Sequence, residues 1–97
     1  MLARMNNFRC WVEETRADVL FSYYESLLKR SGFTIVDTCS TFFNPHGFTA
    51  LFLLSESHLA IHTFPERGKS YIELTSCVEE QYRRFVHLHD IKLSQSD

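Results

Sequence analysis

The sequence predicts an α+β fold, a two-layer sandwich with an antiparallel sheet and helices packed on one of its faces. Three observations lead there: short segments rich in β-branched and aromatic residues, Pro- and Gly-containing turns between consecutive strands, and two segments with apolar residues at helical spacing. A chain of 97 residues is one small domain, and it contains no internal repeat, linker or low-complexity stretch.

Phe8 to Glu13 alternates apolar and polar side chains and reads as the first strand. Thr15-Arg16-Ala17-Asp18 resembles a capping box with Asp in the glutamate position, so a helix should begin near Arg16. Val19, Leu20, Tyr23, Tyr24, Leu27 and Leu28 mark one face of that helix, Lys29 and Arg30 suit its last turn, and Gly32 suits its stop. Phe33 to Phe43 reads as a second strand and Asn44-Pro45-His46-Gly47 as a turn. Phe48 to Ser55 is apolar almost throughout, which predicts a third strand buried on both faces, by helices on one side and by something such as a partner subunit on the other. His58 to Phe64 continues as the fourth strand, Pro65 to Gly68 turns the chain, and Ser70 to Thr75 returns as the fifth. Ser76-Cys77-Val78-Glu79 reads as a capping box opening a helix with apolar positions Val78, Tyr82, Phe85, Val86 and His89, followed by a polar, frayed tail from Ile91 to Asp97.

The composition is globular, 44% hydrophobic and 14% aromatic, and its high aromatic content in so short a chain favours burial in a homodimer. A net charge of −2 and a pI near 6.2 give no electrostatic reason to expect nucleic acid or an anionic membrane. Three cysteines, an odd count with no CxxC, and no signal peptide or long apolar span point to the reducing cytoplasm. Cys10 and Cys39 read most simply as small hydrophobes in strands.

The chemistry concentrates between Leu54 and Glu66, where Glu56-Ser57-His58 is followed by Ile61-His62-Thr63-Phe64-Pro65-Glu66. A strand carrying a serine, two histidines and two glutamates has polar groups that a core does not need. Folding back at Pro65 to Gly68 pairs residues whose numbers sum to about 133 or 134, which sets Ser57 opposite Ser76 or Cys77 with Cβ atoms ~5 Å apart. Cys77 would then lie in the first turn of the last helix, where exposed N–H groups favour a thiolate and Glu79 and Glu80 oppose it. His62 is an odd number of residues from Ser57, so a straight strand points the two side chains to opposite faces. Either the strand is bulged near its start or His62 reaches the same site by another approach. His58 and His62 share a face, but no further ligand completes a metal set, and no metal is expected.

These motifs resemble the self-cleaving site of bacterial-type S-adenosylmethionine decarboxylase proenzymes, pyruvoyl-dependent enzymes whose pattern is Glu-Ser-His, then Ile-His-Thr, an aromatic residue and Pro-Glu. The likeness extends upstream through Phe42-Phe43-Asn44-Pro45-His46-Gly47-Phe48-Thr49 and downstream to Cys77 in Glu73-Leu74-Thr75-Ser76-Cys77. It implies that Ser57 attacks the Glu56 carbonyl, splitting the chain into 1–56 and 57–97 and leaving a pyruvoyl group, generated from Ser57 itself, at the new N-terminus. His62 is implied as the processing base, Thr49 as a hydroxyl supporting the intermediate, and Cys77 as the proton donor in the later reaction. The pyruvoyl ketone condenses with a substrate amine and accepts the electron pair released with CO2. Phe43 corresponds to an aromatic that stacks on adenine, and Glu66 to an acid that accepts hydrogen bonds from ribose hydroxyls. The implied activity is decarboxylation of S-adenosylmethionine to the aminopropyl donor of spermidine synthesis, in a homodimer with sites at its interface.

Departures from the family pattern keep other readings open. Trp11 falls where the family has an acid and Thr15 where it has a cysteine, unless Glu13 or Glu14 substitutes after a register change; Phe64 replaces a usual tryptophan, and the chain ends soon after its last helix. The same scaffold and cofactor acting on ornithine or arginine is the alternative substrate reading. A reading of another class is an uncleaved, non-catalytic binding homologue.

Overall fold

The computed structural model describes residues 2–92. Strand β1 (Asn6–Val12) leads into helix α1 (Ala17–Arg30); β2 (Ile35–Phe42), β3 (Phe48–Leu54), β4 (Ser57–Phe64) and β5 (Lys69–Ser76) follow, with a short 3₁₀ turn at Pro65–Arg67, and helix α2 (Glu79–Lys92) ends the described chain. The strands form one antiparallel sheet in the order β1-β5-β4-β3-β2. Consecutive strands β2 to β5 are neighbours, as their turns demand, and β1 joins beside β5 after the detour through α1.

Both helices lie on one face of the sheet, giving the expected two layers. Leu20, Tyr24, Leu27 and Leu28 of α1 and Phe85 of α2 are buried against Phe52, Leu59, Ile61, Ile72 and Leu74 from the central strands. Full burial of such side chains contributes about 1.5–3 kcal/mol each against exposure. His89, one turn beyond Phe85, is also buried; its Nε2 lies 2.7 Å from the Tyr24 hydroxyl. Burial raises the Tyr24 hydroxyl far above the ordinary tyrosine range, so it stays protonated and shares a hydrogen bond with the imidazole.

The structure corrects several local expectations. Helix α1 starts at Ala17 with Arg16 at its cap and no side-chain cap from within the expected box. Glu14, two residues before the cap, instead fastens the chain as it enters the helix, accepting from the Thr15 and Arg16 backbone N–H groups at 3.1 and 2.9 Å and from the Arg16 guanidinium. Nor is Ser76 the cap of α2: it completes β5, and the first helical bond runs from Tyr82 N–H to Val78 O, 3.0 Å. Cys77 therefore lies in the connection before the cap, outside the first helical turn, because sheet pairing extends through Ser76.

Strand β3 is buried on one face only, since Leu51 and Leu53 on the other are 43% and 52% exposed. Cys39 is exposed on edge strand β2, whereas Cys10 is half-buried on the core side, 3.6 Å from His89 Nε2. The sheet's one irregularity in register lies in β2, between Ile35 and Asp37, and β4 pairs regularly on both sides. Helix α2 continues through Lys92 where a frayed tail was expected from Ile91; the rest of that tail, 93–97, lies outside the described residues.

Candidate active site

Two clusters of the predicted side chains form at opposite ends of β4. The first surrounds the turn from β3 to β4. Leu54 pairs with Ser57, leaving Ser55 and Glu56 as a two-residue loop, and Glu56 adopts φ +62°. A side chain in this left-handed region costs roughly 1–2 kcal/mol relative to glycine, because Cβ crowds the following carbonyl. The peptide bond preceding Ser57 thus begins from the strained residue of a hairpin turn.

Ser57 sits directly opposite Ser76, as the turn arithmetic required, and its hydroxyl donates to Ser76 Oγ at 2.7 Å. Both face the helical layer, Ser57 only 7% exposed and Ser76 fully buried. Ser76 Oγ also accepts from Val78 N–H at 3.0 Å, fastening the chain as it leaves the sheet. That short fold-back carries Cys77 over the turn, where its Sγ lies 3.5 Å from the Glu56 carbonyl oxygen and 3.6 Å from Glu56 Oε1. A serine hydroxyl, the carbonyl before it and a thiol donor are therefore gathered within one chain.

The second cluster occupies the open face of the sheet. Trp11, Tyr71, His62, Thr49 and Thr41 stand in one transverse row across all five strands. His62 Nδ1 lies 3.1 Å from Thr49 Oγ1, and its ring stacks on Tyr71 with centroids 6.4 Å apart and planes at 24°. Trp11, 50% exposed, packs on Tyr71 and Phe64 at 5.2 and 5.8 Å between centroids. Beside this row a cleft of about 300 Å³ is lined by Phe43, His46, Thr49, His62, Phe64 and Glu66 among others. Phe43 is brought there by the turn that its N–H closes onto Gly47 O at 2.9 Å; Gly47 has φ +116°, which favours glycine. Across the cleft mouth His46 Nε2 meets Glu66 Oε1 at 3.0 Å.

The four residues Phe43, Thr49, His62 and Glu66 are thus together, and Glu56, Ser57 and Cys77 are together, but the two groups are apart. Five residues of regular strand separate Ser57 from His62, about 17 Å at ~3.3 Å per residue, and the side chains leave opposite faces. The bulge entertained near the start of β4 is absent, since the strand pairs without interruption on both sides.

Sequence reasoning placed Ser76 near Ser57 but gave its hydroxyl no role beyond a helix cap. It assigned no role to Tyr71, which the pairing of 62 with 71 could have revealed, or to His46, whose approach to Glu66 depends on the shapes of two loops.

Residues 10–96 match the family model described as S-adenosylmethionine decarboxylase. An S-adenosylmethionine decarboxylase proenzyme of Archaeoglobus fulgidus is 33% identical over 76 residues, covering 73% of this chain and 68% of the relative. One from Prochlorococcus marinus is 42% identical over 52 residues, covering 54% of this chain and 42% of the relative, so the likeness spans less than half of that protein. The crystal structure of the adenosylmethionine decarboxylase from Aquifex aeolicus superposes with a TM-score of 0.71 over 90% of this chain and 78% of that one; at 22% identity, this is a likeness of fold. The family match over nearly the whole chain agrees with the motifs and the sheet architecture: the chain belongs to the S-adenosylmethionine decarboxylase family.

Proposed function

We propose that this protein is a proenzyme that cuts itself between Glu56 and Ser57 and then decarboxylates S-adenosylmethionine, yielding the aminopropyl donor of spermidine synthesis. The observation that carries the reading is the arrangement around the Glu56 carbonyl: a strained left-handed residue, a buried serine hydroxyl next in the chain, and the Cys77 thiol 3.5 Å from the carbonyl oxygen.

Cleavage begins with attack of Ser57 Oγ on the Glu56 carbonyl carbon. Cys77 donates to the oxygen as negative charge develops on it, the stabilisation an oxyanion hole provides. The C–N bond then breaks, the hydroxyl proton ends on the Ser57 nitrogen, and an ester joins the two residues. His62 removes the Ser57 α-proton, and Glu56 departs as a carboxylate carrying the former Oγ. Water converts the remaining enamine to a terminal ketone and ammonia, leaving chains 1–56 and 57–97.

The surroundings fit the resulting pyruvoyl group, because position 57 is shielded from bulk water and has a proton donor near its preceding carbonyl. When formed, that group supplies an electron sink for the pair left by departing CO2. Cys77 returns a proton to the substrate carbon. Phe43, 53% exposed, offers a ring face to adenine, and Glu66 exchanges its His46 contact for ribose hydroxyls.

His62 cannot reach Ser57 of its own chain across ~17 Å, so we propose a homodimer in which His62, Thr49, Phe43 and Glu66 of one copy complete the site around Ser57 and Cys77 of the other. The half-exposed Trp11, Leu51 and Leu53 on the helix-free face support burial against a second copy. Exposed Cys39 and half-exposed Cys77, both free thiols, suit a reducing cytoplasm.

CO2 release from labelled S-adenosylmethionine, ornithine and arginine tests the substrate. Release from S-adenosylmethionine alone is expected. Release from ornithine or arginine instead would assign the Trp11-containing aromatic wall to a different amino acid, and release from none, with an intact chain, would identify a binding homologue.

A further inference from the structure

We infer that Ser76 is a positioning residue for self-cleavage, holding the Ser57 hydroxyl in its attacking orientation; this rests on the self-cleavage reading above. A serine side chain has three staggered rotamers. Here one is selected by a 2.7 Å hydrogen bond inside the protein, between a donor that is 7% exposed and an acceptor that is fully buried. Water therefore does not compete strongly for the Ser57 hydroxyl.

The acceptor is itself fixed. Ser76 is paired in register with Ser57 on one side and Asn6 on the other, and its Oγ takes a second hydrogen bond from Val78 N–H at 3.0 Å. With both acceptor positions used, Ser76 cannot turn away without also releasing the half-buried Val78 N–H. The adjoining Asn6 adds a buried Nδ2 with no acceptor among the described residues, so this transverse row is more polar than the fold requires. The same short segment that presents Ser76 to the nucleophile presents Cys77 to the carbonyl it attacks. One rigid fold-back thereby orients both partners of the new bond.

The step served is formation of the Ser57 Oγ–Glu56 carbon bond. As Oγ gives up its proton, which finishes on the Ser57 nitrogen, an acceptor already aligned with the O–H raises the electron density on the attacking atom. A neutral serine is too weak a base to keep the proton, which is why the role is one of orientation. Once Oγ has left with Glu56, this contact no longer exists, so Ser76 should matter for cleavage far more than for turnover.

The experiment follows cleavage by intact mass in wild type, Ser76→Ala and Ser76→Thr, with thermal unfolding as a check on folding. It also measures turnover per cleaved chain and treats each protein with hydroxylamine, which splits an accumulated ester. Ser76→Ala is expected to cleave at least about tenfold more slowly, the rate equivalent of one lost hydrogen bond of ~1.4 kcal/mol, without accumulating ester and with turnover per cleaved chain within about threefold of wild type. Ser76→Thr, which keeps the hydroxyl, should recover most of the rate. Should Ser76→Ala not fold, Ser76→Cys, close in size and a weaker acceptor, must show the same slow cleavage. An alanine variant cleaving as fast as wild type, or faster, overturns the positioning role and leaves the self-cleavage reading standing. A wild-type chain that never cleaves overturns both.

Discussion

Substituting Ser57 by alanine in one copy and His62 by alanine in another separates two geometries that a single variant cannot. In one chain the nucleophile and the proposed base are five strand residues apart, about 17 Å, on opposite faces of a sheet that pairs regularly throughout β4. Direct proton transfer requires an approach of about 3 Å. Rotamer changes of a serine and a histidine cannot close that gap, and bending β4 would break its pairing with both neighbours. Each variant expressed alone is therefore expected to remain uncleaved, the first for want of a nucleophile and the second for want of a base. Co-expressed in equal amounts with random assortment, about half of the His62→Ala chains occupy mixed dimers. There they retain Ser57 and borrow His62 from the other copy, so about half of them should cleave. Distinct affinity tags and intact mass identify which chain is cut. Verified mixed dimers with no cleavage of the His62→Ala chain would refute the two-copy site, as would rapid cleavage of His62→Ala by itself.

Three further outcomes follow from the same geometry. Cys77→Ala should fold, because its thiol lies outside the core, yet lose turnover by at least about 100-fold, the usual range for a general acid; full activity per cleaved chain would remove the residue from the chemistry. On an uncleavable Ser57→Ala background, Glu56→Gly should stabilise the fold by about 1 kcal/mol by relieving the left-handed side chain, raising Tm by roughly 4–8 °C, whereas an unchanged or lower Tm would show that the turn stores no such strain. Glu14→Gln tests the contacts that fasten the chain ahead of α1: the Arg16 side-chain hydrogen bond, foremost among its partners, lowers the Glu14 carboxyl from 4.5 to about 2. Because the folded value is the lower one, its stabilisation is present above pH 4.5 and is lost as pH falls towards 2. Arg16 is 72% exposed and solvent screens the pair, so Glu14→Gln should lower Tm only slightly at pH 7, with the difference from wild type vanishing in acid.

The helices were legible because Leu20, Tyr24, Leu27 and Phe85 repeat at the spacing that buries one helical face. Likewise the β4–β5 register follows from one turn: Pro65 and Gly68, at φ +66°, fix where the chain reverses, and every later pair inherits that choice. Local rules failed where a distant group took precedence. Thr15 does not cap α1 because the Glu14 carboxylate holds the Thr15 and Arg16 N–H groups and the helix starts one residue later, with Arg16 at its cap, and Ser76 does not cap α2 because β5 must extend to meet Ser57 and Asn6. The first strand starts two residues early, at Asn6, although asparagine is a poor strand former; Asn7 is held there by its amide donating to Glu73 and Thr75 across the pair. Leu51 and Leu53 made β3 read as enclosed on both faces, but hydrophobicity alone does not say whether the covering layer belongs to the same chain.

For the site, parity along β4 already put Ser57 and His62 on opposite faces, and the motif alone could not choose between a bulge and another approach to the same site. The uninterrupted pairing of β4 removes the bulge. What sequence could not convey was the Ser76 hydroxyl on Ser57 and the His46–Glu66 contact, because each depends on angstrom-scale placement at the end of a strand or between two loops.

The most direct test of the account is the intact mass of the purified protein with and without prolonged incubation, followed by treatment with a hydrazine. Two species corresponding to residues 1–56 and 57–97 are expected, the latter blocked to N-terminal sequencing and labelled once at its ketone. A single unlabelled species of full length, unchanged after incubation of a folded dimer, would contradict it.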